Sequence, residues 1–234
     1  MSLRVLLVNI AKKLGIYKKM VDIDTYFKNR KKFKQFHKYG VETFVLMDNI
    51  CRKAGAQLLP IFGTQLGFYR DHGFIPHDND IDTAMLFSQR PDNLVDIMAE
   101  NGFKIETSYY IKGENKPLIE QYSRKGVHID IFYLFDHNDV DWFCYVVERH
   151  ESTDWREANR TNGFPCHIWP LAKCNFTEKE YFGHNFFMPE KTEEWLKGVF
   201  GANFMTPIKN WTLDKEKEPT RVIHTKQRLY RIQY

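Results

Sequence analysis

Cysteine is scarce: four in 234 residues (Cys51, Cys144, Cys166 and Cys174), with no C-x-x-C pair. That excludes a small disulfide-stapled fold and points to a reduced, cytosolic chain. The spacing of Cys166, His167, Cys174 and His184 matches no common zinc pattern, so a zinc site is not expected. Long apolar runs are missing too, and none reaches the roughly 20 residues needed to span a bilayer. The apolar stretch 5–10 runs into Lys12 and Lys13, where a secretory signal would carry small residues. No repeat or low-complexity tract is present, which excludes solenoids and arrays.

What is there fits one domain with a sizeable core. Hydrophobic residues make up 43% and charged residues 27%, ordinary values for a globular protein. The aromatic share of 15%, with 19 Phe, implies an aromatic-rich core. The net charge of +4 is unevenly spread. Residues 1–40 carry 11 Lys/Arg against 2 Asp/Glu, and the remainder carries 23 against 28. The basic end is a candidate contact for an anionic partner, and the acidic body argues against nucleic acid on the active face. Leu3, Leu6, Leu7, Ile10, Leu14, Tyr17 and Val21 form a helical stripe, with Lys12, Lys13, Lys18 and Lys19 mostly off it. Residues 1–21 are therefore expected to lie on an anionic membrane or to pack on protein. The expected organisation is a basic amphipathic segment, 1–30, before a catalytic domain, 31–234.

Along that domain, 25–54 reads as one helix, or two broken near Gly40, burying Phe33, Phe36, Phe44, Met47 and Cys51 and stopping at Gly55. Residues 56–62 read as a strand, at an edge because of Pro60. Thr64–Arg70 read as helical, 80–86 as a strand and 91–101 as a helix. Strands are expected at 103–110, 117–124, 126–135 and 141–149. The stretch 150–190 reads as irregular, Glu193–Phe200 as a helix, and the tail 214–234 as peripheral.

Chemistry concentrates in Gly73-Phe-Ile-Pro-His-Asp-Asn-Asp-Ile-Asp-Thr-Ala-Met85. On a strand, Asp80 and Asp82 share one face. Two adjacent carboxylates repel, so a divalent cation with hard oxygen ligands, Mg²⁺ or Mn²⁺, is the expected partner. Asp130 is a third carboxylate, alternating with Val127, Ile129 and Ile131 on the next core strand. Gly63-Thr64 precedes the pair and would offer amides and a hydroxyl to a phosphate. Arg70 either clamps phosphate or makes a surface ion pair. Asp78 is either a base or a loop cap, His77 either meets substrate or fills core space, and His128 shares the Asp130 face. Trp169 and Trp211 either floor a sugar or pack in the core. Lys173 and Lys209 read as ordinary surface residues.

The run Gly63-Thr-Gln-Leu-Gly67, Arg70, Gly73-Phe-Ile-Pro76 and Asp78–Asp82 resembles the signature of the LicD family, fukutin and the fukutin-related protein among its members. His128-Ile-Asp-Ile-Phe132 resembles its third-carboxylate strand. Phe182–Pro189, Trp195-Leu196 and Phe200–Pro207 resemble its C-terminal block, so the likeness covers about residues 36–211. The chain departs from the more usual Trp-Asp-Asp-Asp-Ile-Asp at His77 and Asn79. The resemblance implies an α+β, nucleotidyltransferase (polymerase beta-like) fold with a small mixed sheet flanked by helices. It implies transfer of a phospho-alcohol (phosphocholine, ribitol phosphate or glycerol phosphate) from a CDP-linked donor to a glycan or lipid-linked glycan hydroxyl. CMP is released. Asp80, Asp82 and Asp130 would hold metal and catalyse. Gly63, Thr64 and Arg70 would bind donor phosphate, with Asp78, His77 and His128 around them. The expected place is the cytoplasm, at the inner membrane face. Nucleotidylation of a small molecule, protein or RNA, and a silent glycan-binding scaffold, remain alternatives.

Overall fold

The structure, a computed structural model, describes residues 17–148, 155–208 and 222–234. The stripe from Leu3 to Leu14, Lys209 and Trp211 lie outside them. Helix α1 spans Tyr17–Lys53 without a break. Gly40 does not interrupt it because a Cβ there would already touch Phe74 at 3.4 Å, so the small residue serves close packing. Phe36, Phe44, Met47 and Cys51 are buried as the periodicity predicts, whereas Phe33 is 39% exposed, just off the face that meets the sheet. The helix stops where Gly55 takes a left-handed φ of +81°.

The sheet is far larger than the sequence suggests. Eight strands run in the order β1-β2-β5-β4-β3-β10-β7-β6. They are β1 (Leu59–Pro60), β2 (Ile81–Leu86), β3 (Lys104–Ile111), β4 (Ile119–Arg124), β5 (Val127–Asp136), β6 (Asp141–Val147), β7 (Phe164–Ala172) and β10 (Ile223–Gln233). Strands β8 (Phe176–Tyr181) and β9 (His184–Pro189) form a separate hairpin. Strand β5 also pairs with β6, so β5-β4-β3-β10-β7-β6 closes into an antiparallel ring. Short helices α2 (Phe62–Leu66), α3 (Leu94–Glu100), α4 (Trp155–Arg160) and α5 (Thr192–Phe200), a π-helical turn at Gly67–Asp71 and a 3-10 turn at Phe87–Gln89 complete the described elements.

Two expectations are corrected. The stretch 150–190 contains α4, β7 and the β8–β9 hairpin; β7 escaped notice because it is buried on both faces for most of its length and so lacks the polar–apolar alternation that marks a half-buried strand. The tail is not peripheral: β10 lies between β3 and β7 with Leu229 fully buried. Its charged residues hid a strand that needs only one deeply buried apolar side chain, since its backbone bonds on both sides. Pro60 does sit on the edge strand.

Core residues lie on both faces of the sheet. Ile81, Met85, Ile129, Ile131 and Tyr133 pack with Phe44 and Met47 of α1 and with Phe186 of β9. Phe44 stacks on Phe186 with centroids 4.5 Å apart, and burying such a ring stabilises by about 2–3 kcal/mol. Ala84, Ile119, Phe132 and Leu134 pack with Trp169 and with Trp195 of α5. The end of α1 is clamped to the hairpin: Arg52 donates to Asp48 (2.6 Å) and to the Asn185 carbonyl (2.6 Å), and His184 meets the same buried Asp48 at 2.7 Å.

Candidate active site

After β2, one helix and the β3–β4 hairpin return the chain so that β5 runs parallel beside β2. In that register Asp82 faces Asp130, Ile81 faces Ile129 and Thr83 faces Ile131. The apolar partners enter the α1 side of the sheet, so both aspartates emerge on the other face. The Thr83 hydroxyl donates to the Asp130 carbonyl at 2.8 Å and ties the two strands together at this point.

Asp80 lies one residue before β2. Its side chain is 47% exposed and pairs with Lys32 of α1, Nζ to Oδ2 3.2 Å. Asp130 Oδ2 accepts from Gln121 Nε2 at 2.7 Å. Burial pushes the Asp82 carboxyl well up from the ordinary range, and Asp80, Asp130 and Asp78 add to this while Lys32 opposes it. Asp78 is pushed up to about 6, first by burial and then by Asp80, with His77 and Arg70 opposing. Four half-buried carboxylates thus sense one another around Asp82. As the side chains stand, no three His, Cys, Asp or Glu among the described residues converge into a metal cage. Asp80 is drawn to Lys32 and Asp130 is held by Gln121. The donor chemistry nonetheless fits a divalent cation: hard oxygens only, mutually repelling, all of them half-buried.

Asp78 and Asp82 open into a cavity of about 640 Å³, within the size range of small-ligand sites. Gly63, Arg70, His77, Asp78 and Asp82 line one part of it. A Cβ on Gly63 would lie 3.2 Å from Asp78 Oδ2 and 3.9 Å from Asp82 Oδ2. Glycine therefore leaves the space in front of both carboxylates open. The turn into α2 is made by Phe62 at φ +47°. A left-handed phenylalanine is strained by about 1–3 kcal/mol. Its ring is held edge-on to Phe132 at 5.1 Å.

Thr64 is placed differently from the expectation. It is buried, and its hydroxyl accepts the Asp82 amide N–H at 2.9 Å. It positions the aspartate strand rather than presenting its oxygen to a ligand. Arg70 lines the cavity and also forms a two-pronged pair with Asp71, at 2.9 and 2.8 Å. His77 is exposed at the cavity, so it does not fill core space. His128 is half-buried beside Lys32, away from the cavity wall, and burial lowers its pKa. Trp169 is a buried wall residue, packed near Phe62 at 5.3 Å. Lys173 pairs with Asp136 at 2.5 Å.

A smaller cavity of about 130 Å³ adjoins the large one, lined by Ile119, Gln121, Asp130, Phe132, Val146 and Val147. It lies where β5 and β6 part, since their pairing is confined to Phe135–Phe143 and Asp136–Trp142. Asp130 thus reaches the same open seam as Asp82. Lys32, Gln121 and Glu148 stand in no recognisable motif and come from separate stretches of the chain, and His167 drew notice only beside cysteines, in a spacing that fits no zinc site.

The loop before the aspartates hangs on Gly67. A Cβ there would sit 2.5 Å from the Gly73 carbonyl oxygen and 2.9 Å from the Ile75 amide nitrogen. Gly67→Ala is expected to cost about 1–3 kcal/mol by displacing backbone, seen as a lower urea midpoint. An unchanged midpoint would mean that the loop carrying His77–Asp80 does not depend on this contact.

Comparison with known proteins is consistent with the geometry. A family model described as "LicD/FKTN/FKRP, nucleotidyltransferase domain" matches residues 58–190, more than half of the chain. Ribitol-5-phosphate transferase FKTN of Mus musculus is 22% identical over 187 residues, covering 80% of this chain. The Homo sapiens and Macaca fascicularis proteins of the same name are 21% identical over the same length. The chain spans 37% of the length of these relatives.

Proposed function

The chain belongs to the LicD/FKTN/FKRP family, and from that premise we propose that it moves a phospho-alcohol from a CDP-linked donor to a glycan hydroxyl. The single observation that carries this is the register of Asp82 with Asp130 beside the cavity that Gly63 and Arg70 also line. We assign the polymerase beta-like nucleotidyltransferase fold on the same ground: carboxylates from neighbouring strands of a mixed sheet, preceded by a glycine-led turn. The relatives' printed name supports a sugar-alcohol phosphate as the group transferred.

Asp80, Asp82 and Asp130 would hold Mg²⁺ or Mn²⁺, and such an ion, when bound, neutralises phosphate charge and favours ionisation of a hydroxyl. The protein's own groups do the rest. Arg70 binds donor phosphate, and Gly63 keeps the approach to Asp78 and Asp82 clear. Asp130, fixed through Gln121, takes the acceptor hydroxyl proton. The acceptor oxygen bonds to the phosphorus bearing the alcohol. The phosphoanhydride bond breaks, and CMP leaves with the bridging oxygen and its electron pair. Thr64 acts behind the site by holding the Asp82 amide. Nucleotidylation of an acceptor is the rival outcome on the same scaffold. The excess of Lys/Arg in residues 1–40 suits an anionic, lipid-bearing surface, where a lipid-linked acceptor would lie on the cytosolic side.

The test is CMP release from CDP-ribitol, CDP-glycerol and CDP-choline with a glycan acceptor and Mn²⁺. CMP is expected from at least one donor and is expected to vanish with EDTA. No CMP from any donor, or an acceptor carrying the nucleotide itself, overturns the proposal.

A further inference from the structure

The large cavity has a second polar part. Glu148, just past the end of β6, and His167 of β7 both line it, and His167 Nε2 lies 2.7 Å from Glu148 Oε1. The imidazole is 8% exposed and the carboxylate residue 31%. Around them the lining is mainly apolar, with Phe132, Val146, Val147, Trp169, Phe200 and Phe204. A carboxylate and an imidazole set into such a wall lose hydration, and that is costly unless their polar atoms are used. His167 occupies one acceptor site of the Glu148 carboxylate, which has about four. The remaining capacity suits hydroxyl donors. Phosphate is disfavoured there by the carboxylate charge. A trimethylammonium group would gain from the carboxylate charge and the aromatic faces, but it has no N–H or O–H to give and would leave those acceptor sites without hydrogen bonds. Adjacent hydroxyls on a carbon frame satisfy both features: they donate to the carboxylate while their C–H faces rest on aromatic rings.

Building on the function proposed above, we infer that Glu148 and His167 form a subsite for a vicinal diol of the substrate, oriented with its phosphate toward Arg70 at the other end of the cavity. Two sources carry that chemistry: the ribose of the cytidine nucleotide, and the sugar or polyol that gives or receives the phosphate. The imidazole holds the carboxylate in place, and the carboxylate grips the diol.

Glu148→Gln and His167→Gln keep the shape of the wall, and their melting curves check folding. The probes are CMP and 2′,3′-dideoxy-CMP by calorimetry, and CDP-ribitol, CDP-choline and the glycan acceptor by initial rates. If the ribose is gripped, the wild type binds CMP about tenfold better than the dideoxy nucleotide, and Glu148→Gln levels the two. If the sugar or polyol is gripped, nucleotide binding holds, while KM for CDP-ribitol or for the acceptor rises about tenfold and KM for CDP-choline does not. Either result supports the subsite. Affinities and KM values that stay within about twofold in both folded variants overturn it. A wild type that releases CMP from no CDP-alcohol defeats the function itself, and the subsite with it. A wild type that turns over normally beside unaffected variants defeats the subsite alone.

Discussion

Asp82→Asn is expected to lower CMP release by at least about 100-fold, the scale on which a removed electrostatic group acts in a water-excluded site. The substitution is isosteric, and the contact that positions the residue survives it, because Thr64 holds the backbone amide and not the carboxylate. Removing one of four crowded carboxylates also relieves repulsion, since Asp80, Asp130 and Asp78 all act against Asp82. Metal-free Asp82→Asn is therefore expected to melt at or above the wild-type temperature. Its stabilisation by added Mn²⁺ should be lost. Turnover within about threefold of wild type would remove Asp82 from the chemistry. A lower melting point without metal would show that the carboxylate has a structural partner.

The largest stability effect is expected at Arg90→Met. Arg90 follows a short turn, Phe87–Gln89, at the end of β2. Its guanidinium donates to Glu120 at 2.8 and 3.4 Å and to the Tyr133 hydroxyl at 3.0 Å. Glu120 is 1% exposed and also accepts from Tyr122 (3.0 Å) and Tyr133 (2.5 Å). Burial, and after it the Glu120 charge, pushes both tyrosine hydroxyls up, so they remain donors. They cannot replace the lost cation. Stranding this buried charge should cost about 3–5 kcal/mol, a drop of roughly 10 °C for a chain of this size. Adding Glu120→Gln should recover part of the loss, because the amide oxygen still accepts from the tyrosines without carrying charge. An unfolding free energy within about 0.5 kcal/mol of wild type for Arg90→Met alone would show the network to be idle. The network ties the end of β2 to β4 with β5 between them. Loosening it should also blur the register that sets Asp82 beside Asp130.

Asp82 and Asp130 were legible because a carboxylate inside an alternating apolar strand contradicts its surroundings. Ile81, Thr83, Ile129 and Ile131 declare the core face, so the aspartates must leave by the other. Gly55 was legible as a stop, and it takes a positive φ just past the helix. Gln121 was not legible, since a glutamine on a strand is unremarkable until its neighbour is known to be Asp130. Lys32 looked like any member of a basic run and instead lies against Asp80. Strand β10 was hidden because Lys226, Arg228 and Arg231 read as solvent-facing tail.

The sequence by itself determined the local periods: a long helix ending at Gly55, strands whose alternation picks a buried face, and two aspartates, Asp82 and Asp130, in apolar strand contexts. These follow from backbone geometry over a few residues, where side-chain direction repeats every two or 3.6 positions. Only the tertiary structure decided that the strand sheet bends into a closed ring. The same closure brings Glu148 and His167 into one cavity with Asp82 and turns a charged tail into an interior strand. Those pairings join positions tens of residues apart, and they are fixed by which edges can hydrogen-bond once the core has formed. No short-range pattern carries that information.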